Sequence, residues 1–289
     1  MRVDAHQHYW RPERGGYPWM ASAPACLQRS FLPRDLAGLL VEAKVDATIL
    51  VQAAPRIDET DYLLGIADST ASVAGVIGWI DFEAGRGRSD LDRLARHPRL
   101  LGVRPMVQDS ADDDWVLRAD IDWAFAALQE HGLVFEALGY PRHARRFLRR
   151  IERHPDLRVV IDHGMKPEIA SGAFEGWASD MRDLASQTHV FCKLSGLATE
   201  AGAQASVEDF RPYVEHLVEV FGAERLMWGS DWPVSTSAID YAHWLRTCES
   251  LLAHLDEGAR RRVFGESAAE FYRLIYGEHG VRPRAATDL

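Results

Sequence analysis

The chain of 289 residues predicts an α/β fold, a single-domain (β/α)8 barrel of the TIM type. Three observations carry that expectation. Short apolar runs of strand character alternate with longer stretches of helical period, the pattern of a parallel sheet crossed by helices. There are eight such runs. A closed eight-stranded barrel with its helices takes about 250 residues, which leaves only modest loops.

In chain order the strand-like runs are residues 2–6, 47–52, 73–81, 101–106, 133–138, 158–163, 190–195 and 226–231. Between the fourth and fifth, Ile121, Ala124, Phe125 and Leu128 fall at i, i+3, i+4 and i+7, one apolar face of a helix that Gly132 stops. The spacing recurs in Ala144, Phe147, Leu148 and Ile151, and in Phe210, Tyr213, Val214, Leu217, Val218 and Phe221 before Gly222. One face of each helix is expected to pack on the barrel. Toward the end, Ser267-Ala-Ala-Glu270 has capping-box spacing, and a helix through about Ile275 closes the chain. Beyond Gly280 the apolar period is lost, so the domain is expected to span 1–280 and the tail 281–289 to be frayed. No internal repeat, low-complexity tract or long linker divides the chain. The longest connection, from Tyr9 to about Pro33, follows the first strand and carries Trp10, Tyr17 and Trp19. It either walls the site or plugs the barrel mouth.

Composition narrows the function classes. Hydrophobic residues make up 47%, enough for a large core, and 33 Lys+Arg against 43 Asp+Glu leave a net charge of −10. That charge argues against a general nucleic-acid or anionic-membrane binder. No apolar run reaches membrane-spanning length and the first residues lack a signal-peptide core, so the expectation is a cytoplasmic protein. Cys26, Cys192 and Cys248 are far apart and read as reduced packing residues.

Polar residues at the ends of the strands point to chemistry. Residues two apart on a strand share a face, so Asp4, His6 and His8 are expected to line one side of the first strand at the barrel top. The sixth run ends in Asp162-His163, with His163 the expected inward residue, and the eighth in Gly-Ser-Asp231-Trp-Pro. Two imidazoles, a third, and a carboxylate would then face one cavity, a costly arrangement unless paired or bound to something. Each has a structural alternative, a backbone-bonded core histidine or a turn carboxylate. Arg104, Glu136 and Lys193 interrupt otherwise apolar strands and are either ion-pair members or substrate contacts.

With HxH on strand one, His163 on strand six and Trp-Gly-Ser-Asp-Trp-Pro at strand eight, the sequence resembles the amidohydrolase superfamily over essentially the whole barrel. In Val3-Asp-Ala-His-Gln-His8, Gly102-Val-Arg104, Asp162-His163 and Lys193-Leu-Ser-Gly196 it resembles the branch of small lactonases acting on sugar lactones. It departs from the superfamily's two-metal pattern. The strand-four lysine and strand-five histidine of that pattern are replaced by Arg104 and Glu136, and Lys193 lies on strand seven. The departure argues against a bridged binuclear site. The resemblance implies one divalent metal, zinc, held by some of His6, His8, His163 and Asp231, with a metal-free site as the alternative.

The implied activity is hydrolysis of an aldonolactone such as L-fuconolactone. Asp231 would take the proton of water, a metal or the Arg104 and Lys193 cations would stabilise the carbonyl oxygen, and His163 or protonated Asp231 would protonate the departing ring oxygen. Glu136, Gln52, Lys193, Arg104 and the rings of Trp232 or Tyr140 would hold the sugar. A metal-dependent decarboxylase of a small unsaturated acid, and a non-catalytic binding barrel, are the alternatives. The expected partner is a small lactone, with no nucleic acid and no membrane, and the oligomeric state is open.

Overall fold

The computed structural model describes residues 1–277 and 280–284. One parallel sheet runs in sequential order through β1 (Val3–Gln7), β2 (Ala47–Val51), β3 (Val73–Gly78), β4 (Leu100–Val103), β5 (Val134–Ala137), β6 (Val159–Ile161), β7 (Phe191–Leu194) and β8 (Leu226–Trp228). The first and last strands meet at their carboxyl ends. Asp231 N donates to His6 O at 2.8 Å and His8 N donates to Trp232 O at 2.7 Å, closing the barrel. Around it lie α1 (Pro33–Ala43), α2 (Ile57–Ser69), α3 (Gly87–Leu94), α4 (Asp122–Glu130), α5 (Ala144–Arg153), α6 (Glu175–Gln187), α7 (Leu197–Ala201), α8 (Val207–Phe221), α9 (Tyr241–Leu251), α10 (Glu257–Arg261) and α11 (Ser267–Phe271). None of the described helices is long and apolar enough to cross a membrane.

The helical faces expected from spacing are buried: Ile121, Ala124, Phe125 and Leu128 on or beside α4, Phe147 and Ile151 on α5, and Phe210, Tyr213, Val214, Leu217 and Phe221 on α8. These side chains form the layer between strands and helices. Inside the barrel Val3, Ala5, Ile49, Leu101, Val134, Val160 and Met227 make a separate apolar plug. Two residues beyond Val134 and Val160 the buried side chains become polar, at Glu136 and Asp162.

The strands stop earlier than the apolar runs. The sixth ends at Ile161 and the eighth at Trp228, because His163 and Asp231 both take left-handed backbone with φ of 55° and leave the ladder. The fourth ends at Val103, one residue before Arg104-Pro105, where the proline removes a donor.

Four expectations are corrected. A bulge in the pairing of β1 with β2 between Asp4 and Gln7 shifts the alternation of the strand. Asp4 therefore does not share the face of His6. It accepts from Ser230 N at 2.8 Å and from the Tyr241 hydroxyl at 3.1 Å, outside the site. Ser267 opens α11 in helical backbone but does not cap it. A π-type turn, Arg262–Glu266, joins α10 to α11, and the Ser267 hydroxyl donates to Ala223 O at 2.9 Å in place of a capping box. The final helix stops at Phe271, and the chain turns back as an antiparallel hairpin of β9 (Leu274–Gly277) and β10 (Gly280–Pro283). Residues 281–283, expected to be frayed, are paired there, with Val281 buried beside Tyr272 and Leu274 at the barrel floor. A four-residue strand is too short to register as helical period. Residues 285–289 lie outside the described residues.

Candidate active site

The polar interior is built in two tiers. In the lower one the Lys193 ammonium sits 2.6 Å from Glu136 Oε1, 3.1 Å from Asp162 Oδ1 and 3.2 Å from His6 Nδ1. Lys193, Glu136 and Asp162 are fully buried. Tyr272 reaches up from the floor and donates its hydroxyl to Glu136. Burial pushes the Glu136 pKa upward against the pull of Lys193. Burial acts the same way on Asp162, but Lys193, His6 and Arg104 outweigh it and hold that carboxyl well below the usual range. One ammonium thus offsets part of the charge of two carboxylates shielded from solvent.

The upper tier faces the mouth. His8 Nδ1 lies 2.8 Å from the Val51 carbonyl, which only accepts, so Nδ1 carries the proton and Nε2 presents a lone pair. That Nε2 is 3.4 Å from Asp231 Oδ1 and 3.2 Å from His6 Nε2. His6 Nε2 and His163 Nε2 stand 3.8 and 4.0 Å from the same Asp231 oxygen. Ser195 Oγ orients His163 through Nδ1 at 2.8 Å. Arg104 leans in from β4. Its guanidinium is 3.2 Å from His6 Nε2 and 3.3 Å from Asp162 Oδ2, and its backbone carbonyl accepts from Gln52 Nε2 at 2.9 Å.

Electrostatics follow from this packing. Burial lowers the pKa of all three histidines, that of His163 to about 4, and Lys193 depresses His6 further. Burial would raise Asp231, but His163, His8 and His6 overcome it and keep the carboxylate ionised. His163 and Asp231 are both held in left-handed backbone, a conformation that persists only where surrounding contacts enforce it.

The donor set suits a cation. An ionised carboxylate oxygen and the unprotonated Nε2 of His8 face each other at 3.4 Å, two acceptors with nothing between them to donate. Ligand atoms of His6, His163 and Asp231 lie within 4.8 Å of one another. His8 Nδ1 and His163 Nδ1 carry oxygen partners, the Val51 carbonyl and the Ser195 hydroxyl. His6 Nδ1 lies 3.5 Å from Asp162 Oδ1 as well as beside Lys193, completing an outer shell of the kind metal-bound histidines have. A second group, His6, Glu136 and Asp162, also has ligand spacing, but the Lys193 ammonium lies among its atoms.

Above the tier opens a cavity of about 170 Å³. His8, His163, Asp231 and Arg104 form its base, and Gln108, Lys166 and Thr199 add polar groups to the wall. Trp10 and Trp19 from the long first loop, with Met106, Leu138 and Val234, supply the apolar side. The loop therefore walls the site, with Trp19 Nε1 bonded to Ala53 O at 2.7 Å; Tyr17 of the same loop stays out of the cavity.

Not every expected contact reaches it. Glu136 and Lys193 lie in the tier below, Gln52 is committed to Arg104, and Trp232 packs edge-on against Tyr9 and Phe31 at centroid distances of 6.0 and 5.3 Å. Tyr140 is absent from the lining. The basic group that does line the cavity besides Arg104 is Lys166, and no strand alternation marks it, because it sits in left-handed backbone three residues past His163. Asp162 was legible: with Val160 pointing inward, the residue two further on must do so too.

Comparison with known proteins agrees in scale and kind. The amidohydrolase family model matches residues 3–274. An L-fucono-1,5-lactonase of Burkholderia ambifaria is 45% identical over 278 residues, 94% of this chain and 96% of that protein. A second L-fucono-1,5-lactonase, of Burkholderia multivorans, is 35% identical, covering 95% of this chain and 96% of its own. The crystal structure of an amidohydrolase from Burkholderia multivorans with bound zinc superposes with a TM-score of 0.90 at 35% identity, over 95% of this chain and all of that one.

Proposed function

The chain belongs to the amidohydrolase family, and from that premise we propose that it is a lactonase, opening an aldonolactone such as L-fuconolactone to its hydroxy acid. The observation that carries the reading is the convergence of His6, His8 and His163 on one oxygen of Asp231 at the base of a cavity that also holds Arg104. The decarboxylase alternative has less support, since the curated relatives matched over most of this chain and named for an activity are lactone hydrolases.

His6, His8, His163 and Asp231 are the residues that would hold a divalent ion, which we take to be zinc from its nitrogen and oxygen ligands. Such an ion supplies a Lewis acid for the lactone carbonyl. The chain's own groups do the rest. Asp231, ionised throughout the neutral range, accepts the proton of the attacking water. So acidic a carboxylate is a weak base, and its reach is set by how far the carbonyl is polarised. Arg104 faces the cavity with a guanidinium fixed by Gln52 and Asp162, placed to stabilise the developing oxyanion. Lys193, lying beneath, orients His6 and does not meet substrate. His163 is neutral at working pH, so the proton delivered to the departing ring oxygen is the one Asp231 has just taken. Water adds to the carbonyl carbon, the ring C–O bond breaks, and a carboxylate and an alcohol result. The setting proposed is the cytoplasm, with a free small lactone as partner.

A pH-indicator screen of aldonolactones on zinc-loaded and chelated enzyme tests reaction, substrate and metal together. Acid release from at least one sugar lactone above the uncatalysed rate is expected. Carbon dioxide release from an unsaturated acid, with no lactone opened, would replace this reading with the decarboxylase.

A further inference from the structure

Beside the catalytic cavity lies a second one of about 250 Å³, lined among others by Pro55 after β2, Trp79 and Asp81 after β3, and Met106 and Asp109 after β4. We propose that it is a subsite for a second sugar ring, so that the enzyme also opens lactones of disaccharides while this cavity holds the sugar unit that is not the lactone. The inference rests on the lactonase reading and adds a substrate class to it.

Position argues first. All the lining residues follow strand carboxyl ends, the face on which barrel enzymes bind substrate. Met106 lines both cavities, the chain neighbours Arg104 and Pro105 divide between them, and so do Ala53 and Pro55, two residues apart. A substituent on a lactone seated over Asp231 would cross Met106 into the second space. Size argues next. At about 170 Å³ the catalytic cavity falls below the roughly 300 Å³ at which ligand sites begin, and the neighbour brings the pair into that range.

Chemistry selects the occupant. The Trp79 indole is half-buried, and among the described residues its N–H has no hydrogen-bond partner and its ring no aromatic neighbour. Nearby indoles are engaged: Trp115 Nε1 donates to Glu83, and Trp123 Nε1 donates to Phe82 O at 3.1 Å. The Asp109 carboxylate is likewise unpartnered among the described residues, and Asp81 accepts two backbone amides through a single oxygen. Asp81, Glu83 and Asp109 line the space with no lysine, arginine or histidine among its lining residues. An anionic extension would be repelled. A neutral ring with hydroxyls for the carboxylates and a C–H face for the indole meets every group present.

The test compares the fastest-hydrolysed monosaccharide lactone with glycosides of that same lactone at its O2, O3 and O4 positions, on wild-type, Trp79→Ala and Asp109→Asn enzymes of the full chain. At least one glycoside should be opened by the wild type. Both variants should raise its KM about tenfold while leaving the monosaccharide lactone within twofold; Asp109→Asn, at an exposed site, guards against a folding defect in the tryptophan variant. Turnover of the monosaccharide lactone with no glycoside accepted, or variants that alter both substrates alike, overturns the subsite. Failure to open any lactone overturns the lactonase reading itself, and the two failures are thereby distinct.

Discussion

The amide of Asp231 donates to the carbonyl of His6 at 2.8 Å, so the bond that closes the barrel also fixes the carboxylate opposite the imidazoles. The first and last strands share few ladder bonds otherwise. Their junction is pinned by Asp4, which accepts from Ser230 N at 2.8 Å and from His6 N at 3.2 Å with one oxygen. Catalytic geometry and fold closure thus depend on the same few backbone groups, and side-chain changes there are best made without disturbing the main chain.

Asp231→Asn is such a change. It keeps the shape and removes the base, and general-base contributions run to about 10²–10⁴-fold in rate. A fall in kcat of that size on the best lactone is expected, with a thermal midpoint close to the parent's because the closing bond uses the backbone. Activity within a few-fold of wild type would assign the base elsewhere.

Lys193→Met should act on stability before it acts on catalysis. The ammonium holds two fully buried carboxylates, Glu136 at 2.6 Å and Asp162 at 3.1 Å. Removing one partner of such a group leaves uncompensated buried charge, a loss of about 3–5 kcal/mol. Urea unfolding reads this directly, and adding Glu136→Gln should restore part of it. A variant as stable as the parent but with raised KM would instead make Lys193 a substrate contact.

The barrel was legible because eight apolar runs and their helical spacers repeat one physical motif. His6, His8, His163 and Asp231 were legible because charged groups at strand ends have few structural excuses. What escaped had no local periodicity to betray it. The bulge that turns Asp4 outward is a one-residue defect in alternation. Lys166 enters the cavity from a left-handed turn, and Tyr272 reaches Glu136 from the opposite end of the barrel across 136 residues of chain. Lys193 and Glu136 were read as polar interior groups, but which tier they occupy depends on how far each strand has climbed.

Glu59 on α2 should contribute a loss of stability as pH rises from about 4.5 to 7, opposite in sign to the buried histidines. Its carboxylate accepts from Ala53 N and Ala54 N, yet burial prevails and raises its pKa from 4.5 to about 7. Between those values the folded chain keeps a proton that the unfolded chain releases, so ionisation disfavours folding, and the loss is complete above pH 7. Glu59→Gln retains an acceptor for both amides and removes the titration. It should match wild type near pH 4 and exceed it by about 3–4 kcal/mol at pH 8, at roughly 1.4 kcal/mol per pKa unit. Equal urea midpoints at pH 8 would dismiss Glu59 as the source.

Zinc should load to one ion per chain and no further. Two groups of side chains have ligand spacing, His6 with His163 and Asp231, and His6 with Glu136 and Asp162. They share His6, and the second is already served by a cation, the Lys193 ammonium, at 2.6, 3.1 and 3.2 Å from its three members. A divalent ion there would have to displace that ammonium from the two carboxylates it pairs with, inside a fully buried space, at a desolvation cost of several kcal/mol. In the first group the Arg104 guanidinium reaches only His6 Nε2, at 3.2 Å, while the Asp231 carboxylate faces the Nε2 lone pair of His8 at 3.4 Å. Equilibrium dialysis against zinc followed by elemental analysis should therefore saturate at one, and His163→Ala should weaken binding at least tenfold while Glu136→Gln leaves it nearly unchanged. Saturation at two ions per chain would mean that the lower tier yields its ammonium, and the ordering of the two tiers argued from these distances would be wrong.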